Sequence, residues 1–168
     1  MTANDAIERT IPSLRRYARA LLGTTQDADD LVHDALVDAL ARPRAGLEAA
    51  NIRPWLFAIL RNRFVSNHRR AKYRATTSIE DNTIEMATMR PGQEAGLQMR
   101  DLTLGLAGLP VEQREVLLLV TVEGFSYADV AAMLDIPLGT VMSRLSRARD
   151  RLNDFMDGTT KPRLRSVS

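Results

Sequence analysis

The sequence predicts an all-α protein made of two small helical domains joined by a flexible linker. Three observations predict it. Apolar residues in both halves recur at intervals of three and four, β-branched alternation is scarce, and residues 75–96 break the periodicity. That stretch (ATTSIEDNTIEMATMRPGQEAG) is rich in Thr and small residues, contains Pro91-Gly92, and is longer than a compact domain tolerates between elements. The expected units are residues 5–74 and 97–156, with a frayed basic tail at 157–168.

In the first unit, Leu31, Val32, Ala35, Leu36, Ala39 and Leu40 form one stripe, with Asp27 or a neighbour as N-cap and Arg42-Pro43 as the stop. Pro54, expected in a first helical turn, opens a second strong helix whose Leu56, Leu60 and Phe64 share a face with Ile59 beside it. In the second unit Ser126 and Asp129 resemble a capping box, and Val130, Ala131 and Leu134 supply the buried face of a short helix. Asp135-Ile136-Pro137 breaks it. A further helix starts near Pro137 or Leu138, with Val141, Leu145, Ala148 and Leu152 inward.

Composition excludes several classes. With no cysteine there is no disulfide framework, thiolate zinc site or thiol sensor, and His33 and His68 alone make a poor metal cluster. No metal or cofactor is expected. No nucleophile–base pair or phosphate-cradling glycine loop can be named, so the chain is not expected to be an enzyme. Asp5, Glu8 and Arg9 interrupt the N-terminus where a signal peptide needs an apolar run, and no uncharged apolar run approaches the ~18 residues of a membrane span, so a cytoplasmic protein is expected.

The net charge of +2 hides opposed segments. Asp27, Asp29, Asp30, Asp34 and Asp38 crowd one helix, whereas residues 49–78 hold seven cations and no anion. Of the 23 basic residues all but Lys72 and Lys161 are Arg, whose planar fork suits phosphate and base edges. Two short helices joined by a tight turn, the second bearing Thr140, Ser143, Arg144, Ser146, Arg147 and Arg151 outward, read as a helix-turn-helix. The alternative from spacing alone is a helical hairpin with a solvated basic face.

Residues 109–152 (LPVEQREVLLLVTVEGFSYADVAAMLDIPLGTVMSRLSRARDRL) resemble region 4, the promoter-reading domain of the extracytoplasmic-function (ECF) sigma factors of bacterial RNA polymerase. Residues 27–42 (DADDLVHDALVDALAR) and 53–70 (RPWLFAILRNRFVSNHRR) resemble region 2 of the same family. The stretch GTVMSRL resembles the subgroup that runs the general stress response of alphaproteobacteria.

The resemblance implies an alternative sigma factor that binds core RNA polymerase and promoter DNA, answers to an anti-sigma factor, and is a monomer when free. Asp30, Asp34 and Asp38, at i, i+4 and i+8, would dock on the polymerase; the plain reading of such a ridge is a solvated polar face. Asn62 would hold an extruded base of the minus-10 element, with Arg61, Arg63, Arg69, Arg70 and Lys72 tracking phosphates and Trp55 structural. Thr140, Met142, Ser143, Arg144, Ser146, Arg147 and Arg149 would face the minus-35 element. Met142 stands where many members carry a cation; a thioether cannot pair with guanine but can touch a thymine methyl.

Two other readings stand beside this one. A sigma-like decoy that sequesters an anti-sigma factor is expected to lose the basic residues of the reading helix, which this chain keeps, and to carry a receiver domain. A free-standing helix-turn-helix regulator leaves the N-terminal two-fifths unexplained.

Overall fold

A computed structural model describes residues 1–75 and 95–158; the predicted linker and tail fall almost wholly outside the described residues. The described residues form helices and no strand. In chain order these are α1 (Ala3–Leu22), α2 (Thr25–Ala41), α3 (Ala49–Ala75), α4 (Ala95–Ala107), α5 (Val111–Leu117), which runs on into a π-helical turn (Leu118–Val122), α6 (Tyr127–Leu134) and α7 (Leu138–Met156). None is long and apolar enough to cross a membrane.

Helix α1 escaped the apolar-stripe reading, yet its signals are local. Thr2 caps it in a reciprocal box: its hydroxyl accepts from the Asp5 amide at 3.2 Å, and the Asp5 carboxylate accepts from the Thr2 amide at 2.9 Å. Gly23, at φ 77°, closes it in the left-handed conformation that glycine adopts without strain. Ile7, Leu14, Tyr17, Ala18 and Leu21 form its buried face.

For α2 the N-cap is Thr24, whose hydroxyl accepts from the Asp27 amide, and Arg42 leaves the helix in an extended conformation, as a residue before proline must. Leu31, Val32, Ala35 and Ala39 are buried, but Leu40 is 60% exposed and Leu36 only half-buried, so the inward stripe is narrower than predicted. Helix α3 begins at Ala49, a turn before the expected start, because Ile52 is fully buried and holds the preceding turn on the core. Pro54 therefore lies inside the helix.

Helices α1, α2 and α3 pack pairwise into an N-terminal bundle. In the C-terminal unit α4, α5 and α6 all pack on α7. At Gly105 of α4 an added Cβ would lie 2.7 Å from the Leu152 side chain and 2.9 Å from the Phe155 ring, so any larger residue makes these side chains of α7 shift. Ser126 caps α6 through the Asp129 amide, Asp135 ends it at φ 53°, and α7 starts at Leu138 behind Pro137.

The two units also pack on each other, through α3 with α6 and through α1 with α4, α5 and the π turn. Arg114 is a main tie. Buried, it donates to the carbonyls of Leu106, Ala107 and Leu109 and, across the boundary, to that of Leu21 at 2.6 Å. One guanidinium thus satisfies acceptors at the C-terminal ends of both α4 and α1.

Candidate nucleic-acid interface

Helix α7 turns Ser143, Ser146, Arg147 and Arg151 outward as the periodicity predicts, but not Thr140 and Arg144, which sit nearer the buried seam. Val141, Leu145 and Ala148 are buried, which turns Met142, Ser143, Ser146, Arg147 and Arg149 outward. Thr140 and Arg144 are half-buried. The Ser143 hydroxyl donates to the Thr140 carbonyl at 3.2 Å, which leaves its lone pairs outward. Met142 is 52% exposed and lines a shallow depression of mixed polarity with Tyr127, Ser146, Arg149 and Asp150. Arg144 lies near enough to the buried Glu115 to help hold its carboxylate ionised.

On α3, Asn62, Arg69, Arg70 and Lys72 are exposed, and His68 stacks on Phe64 with ring centroids 6.0 Å apart. Trp55 packs half-buried against the core. Arg61 and Arg63, also predicted to track phosphates, have partners within the protein. Arg63 reaches the Asp38 carboxylate in a two-point contact, Nε to Oδ2 at 2.9 Å, and this pairing raises the guanidinium pKa further. Asp38, expected to meet the polymerase, thus has an internal partner. The same guanidinium also feels Asp34, so the ridge is partly neutralised by the chain itself. Asp30 remains exposed, beside exposed Val37 and Leu40 on the same helix.

Arg61 forms an ion pair with Glu115 of α5, Nε to Oε1 at 3.5 Å, and neither atom makes a hydrogen bond. Burial pushes the Glu115 carboxyl above its ordinary range, with Arg61 opposing the shift. Glu123 does better: its fully buried carboxylate accepts from Arg16 at 2.8 and 3.0 Å and from Arg53 at 3.0 Å. Arg53 also donates to the Glu123 carbonyl and lies over the rings of Phe57 and Phe125. Tyr17, Phe57 and Phe125 meet edge to face across the boundary, centroids 5.5 and 5.0 Å apart. Sequence reasoning missed this cluster. Its one local signal is acidic residues, Glu115 and Glu123, flanking the apolar run Val116 to Val120.

Comparison with known proteins bears on both faces. Residues 99–152 match the family model for sigma-70 region 4, and residues 7–61 match the model for the Sigma2 domain of PhyR. The ECF RNA polymerase sigma factor EcfG of Rhodopseudomonas palustris is 39% identical over 92% of this chain and 86% of its own. The chain belongs to the ECF sigma factors. It is an alternative sigma factor that directs transcription initiation. SigM of Mycobacterium tuberculosis is 37% identical to this sigma factor over 83% of the chain and 69% of its own. Among solved structures, the sigma factor RpoE of Bartonella quintana, in complex with the anti-sigma factor NepR, superposes with a TM-score of 0.83 at 35% identity, covering 92% of this chain and 96% of that one. These likenesses agree with the stress-response subgroup that the GTVMSRL stretch resembles.

Proposed function

We propose that this sigma factor reads the minus-35 element with the outward face of α7 and the minus-10 element with α3, and docks on core polymerase through α2. The observation that carries the reading is the solvent face of α7, where Met142, Ser143, Ser146, Arg147 and Arg149 stand clear of a buried Val141/Leu145/Ala148 seam. Small hydroxyls permit close approach to the groove floor, and Arg147 supplies the fork for a guanine. Arg144 and Arg149 flank it for phosphates. On α3, Asn62 takes the extruded base, with Arg69, Arg70 and Lys72 along the strand; Arg61 and Arg63 join them on release from Glu115 and Asp38. Asp30 and Asp34 carry the docking on α2, and Asp38 orients Arg63.

The protein works in the cytoplasm as a non-enzymatic subunit, monomeric when free, with no metal or cofactor. Its regulator is an anti-sigma factor of the kind bound to the Bartonella RpoE. The match of residues 7–61 to a PhyR domain favours a second reading, a sigma-like decoy for such a factor. The Arg-bearing face of α7 supports the sigma reading instead. Transcription in vitro with purified core polymerase on a promoter library separates the two. Promoter-dependent transcripts that need this chain are expected, and their absence alongside anti-sigma binding favours the decoy.

A further inference from the structure

The outward face of α7 has two flanks of different chemistry. At about 100° per residue, Met142 and Arg147 stand roughly 140° apart around the helix axis, with Ser143 and Ser146 between them. Arg147 shares its flank with Thr140 and Arg144, whereas Met142 shares the other with Leu138 and Arg149.

The Met142 flank carries exposed apolar groups where a recognition helix meets base edges, in its N-terminal half. Leu138 and Met142, one turn apart, are each about half exposed, and Tyr127, the first residue of α6, is exposed and lines the same depression as Met142. The buried Leu145 and the polar Ser146, Arg149 and Asp150 complete that lining. Single apolar residues scattered over a surface are ordinary; three large ones gathered at the DNA-facing end of a helix-turn-helix ask for an apolar partner.

The major groove limits what that partner is. Its floor offers hydrogen-bonding groups and one projecting apolar group, the C5 methyl of thymine. A phosphate fits the depression poorly, because the Asp150 carboxylate lines it beside Arg149 and offsets the guanidinium charge. Thymine shows its methyl next to the O4 acceptor. Met142 and Ser146, at i and i+4, are surface neighbours that match this pair: a polarizable thioether for the methyl and a hydroxyl donor for O4.

We propose that Met142 and Tyr127 form a methyl-reading site, with Ser146 as its polar partner, which makes the minus-35 element require a thymine at a base pair separate from the guanine assigned to Arg147. Met142 packs on the methyl and Tyr127 bounds it from α6, so both helices of the helix-turn-helix share the discrimination. At ~1.5 Å per residue Met142 and Arg147 lie roughly 7.5 Å apart along α7, which at ~3.4 Å per base pair places the thymine about two or three pairs from that guanine. The site deepens the assignment of α7 to the minus-35 element and rests on it.

The test removes the methyl alone. In promoter duplexes bound by this sigma factor with core polymerase, each minus-35 thymine in turn is replaced by deoxyuridine, which keeps O4 and the pairing with adenine. One replacement is expected to weaken promoter binding about fourfold, the effect of one buried methyl group. Met142→Ala, at an exposed helical position, is expected to bind the thymine and deoxyuridine duplexes equally, and Tyr127→Ala to narrow the difference. Met142→Lys is expected to lose the thymine preference in a promoter-library selection and gain one for guanine. A deoxyuridine series that binds like the thymine duplex throughout, or a Met142→Ala protein that keeps the wild-type loss, would overturn the site. So would weaker retention of Met142→Ala on core polymerase without DNA, which makes the depression a protein contact. Arg147→Ala in the same selection separates this failure from that of the minus-35 assignment. If its logo changes while the deoxyuridine series is flat, only the methyl site falls; if neither responds, α7 does not read the promoter.

Discussion

At the residue scale, Arg114 holds the protein together and Arg147 is assigned to DNA, whereas Arg61 and Arg63 stand in both sets. Arg114 feeds four carbonyls from a buried position, and burial lowers its pKa, with Glu115 beside it opposing that shift. Arg114→Met keeps the bulk and removes every donor. It is expected to lower unfolding free energy by about 2–4 kcal/mol, read by urea denaturation, and a loss within error of zero would show that water replaces those bonds. Arg147, exposed and without such ties, behaves differently: Arg147→Ala should leave stability unchanged and weaken its base preference by about 1–3 kcal/mol in a promoter-library selection. An unchanged promoter logo contradicts the assignment. Asn62→Ala should still form closed complexes with polymerase but open the duplex poorly, so permanganate reactivity of minus-10 thymines equal to wild type would count against a base pocket.

At the element scale, α2 shows how one helix divides its labour. Its inward face is narrow because Ala28, Ala35 and Ala39 let neighbouring helices approach closely, and this leaves Val37 and Leu40 outside beside Asp30 and Asp34. An exposed apolar pair within an acidic ridge suits a partner that is both basic and apolar, a combination bulk solvent does not satisfy. Reversing Asp30 and Asp34 to Lys should leave the melting temperature within a few degrees and abolish retention on immobilised core polymerase. Retention at the wild-type level would remove α2 from the docking surface. Asp38, the third acid of the ridge, is engaged internally by Arg63, so i, i+4, i+8 spacing alone overstates the ridge.

At the scale of the whole molecule, folding links Glu115 to pH. Its carboxyl faces Arg61 of α3, Arg144 of α7, Tyr17 of α1 and Glu112 of its own helix, and burial raises its pKa above the ordinary 4.5. A raised pKa means the folded chain binds this proton more tightly than the unfolded one. The stability it contributes is therefore complete below pH 4.5 and lost as pH rises through the raised value. Glu115→Gln, which fixes a neutral side chain, should flatten that slope in thermal melts across the carboxylate range; an identical slope would place the titration elsewhere. By itself the sequence determined the helical class, the helix-turn-helix with most of its outward residues, and the family, because periodicity, caps and contiguous motifs are local properties of the chain; Thr140 and Arg144, expected outward, are half-buried. It missed α1, whose marks are a reciprocal Thr2–Asp5 cap and a closing glycine outside any motif. Only the tertiary structure decided that Asp38 and Arg63 neutralise each other and that Arg16 and Arg53 share Glu123. Those pairings join residues 25 to 107 positions apart, and no local pattern encodes which charge will be buried against which.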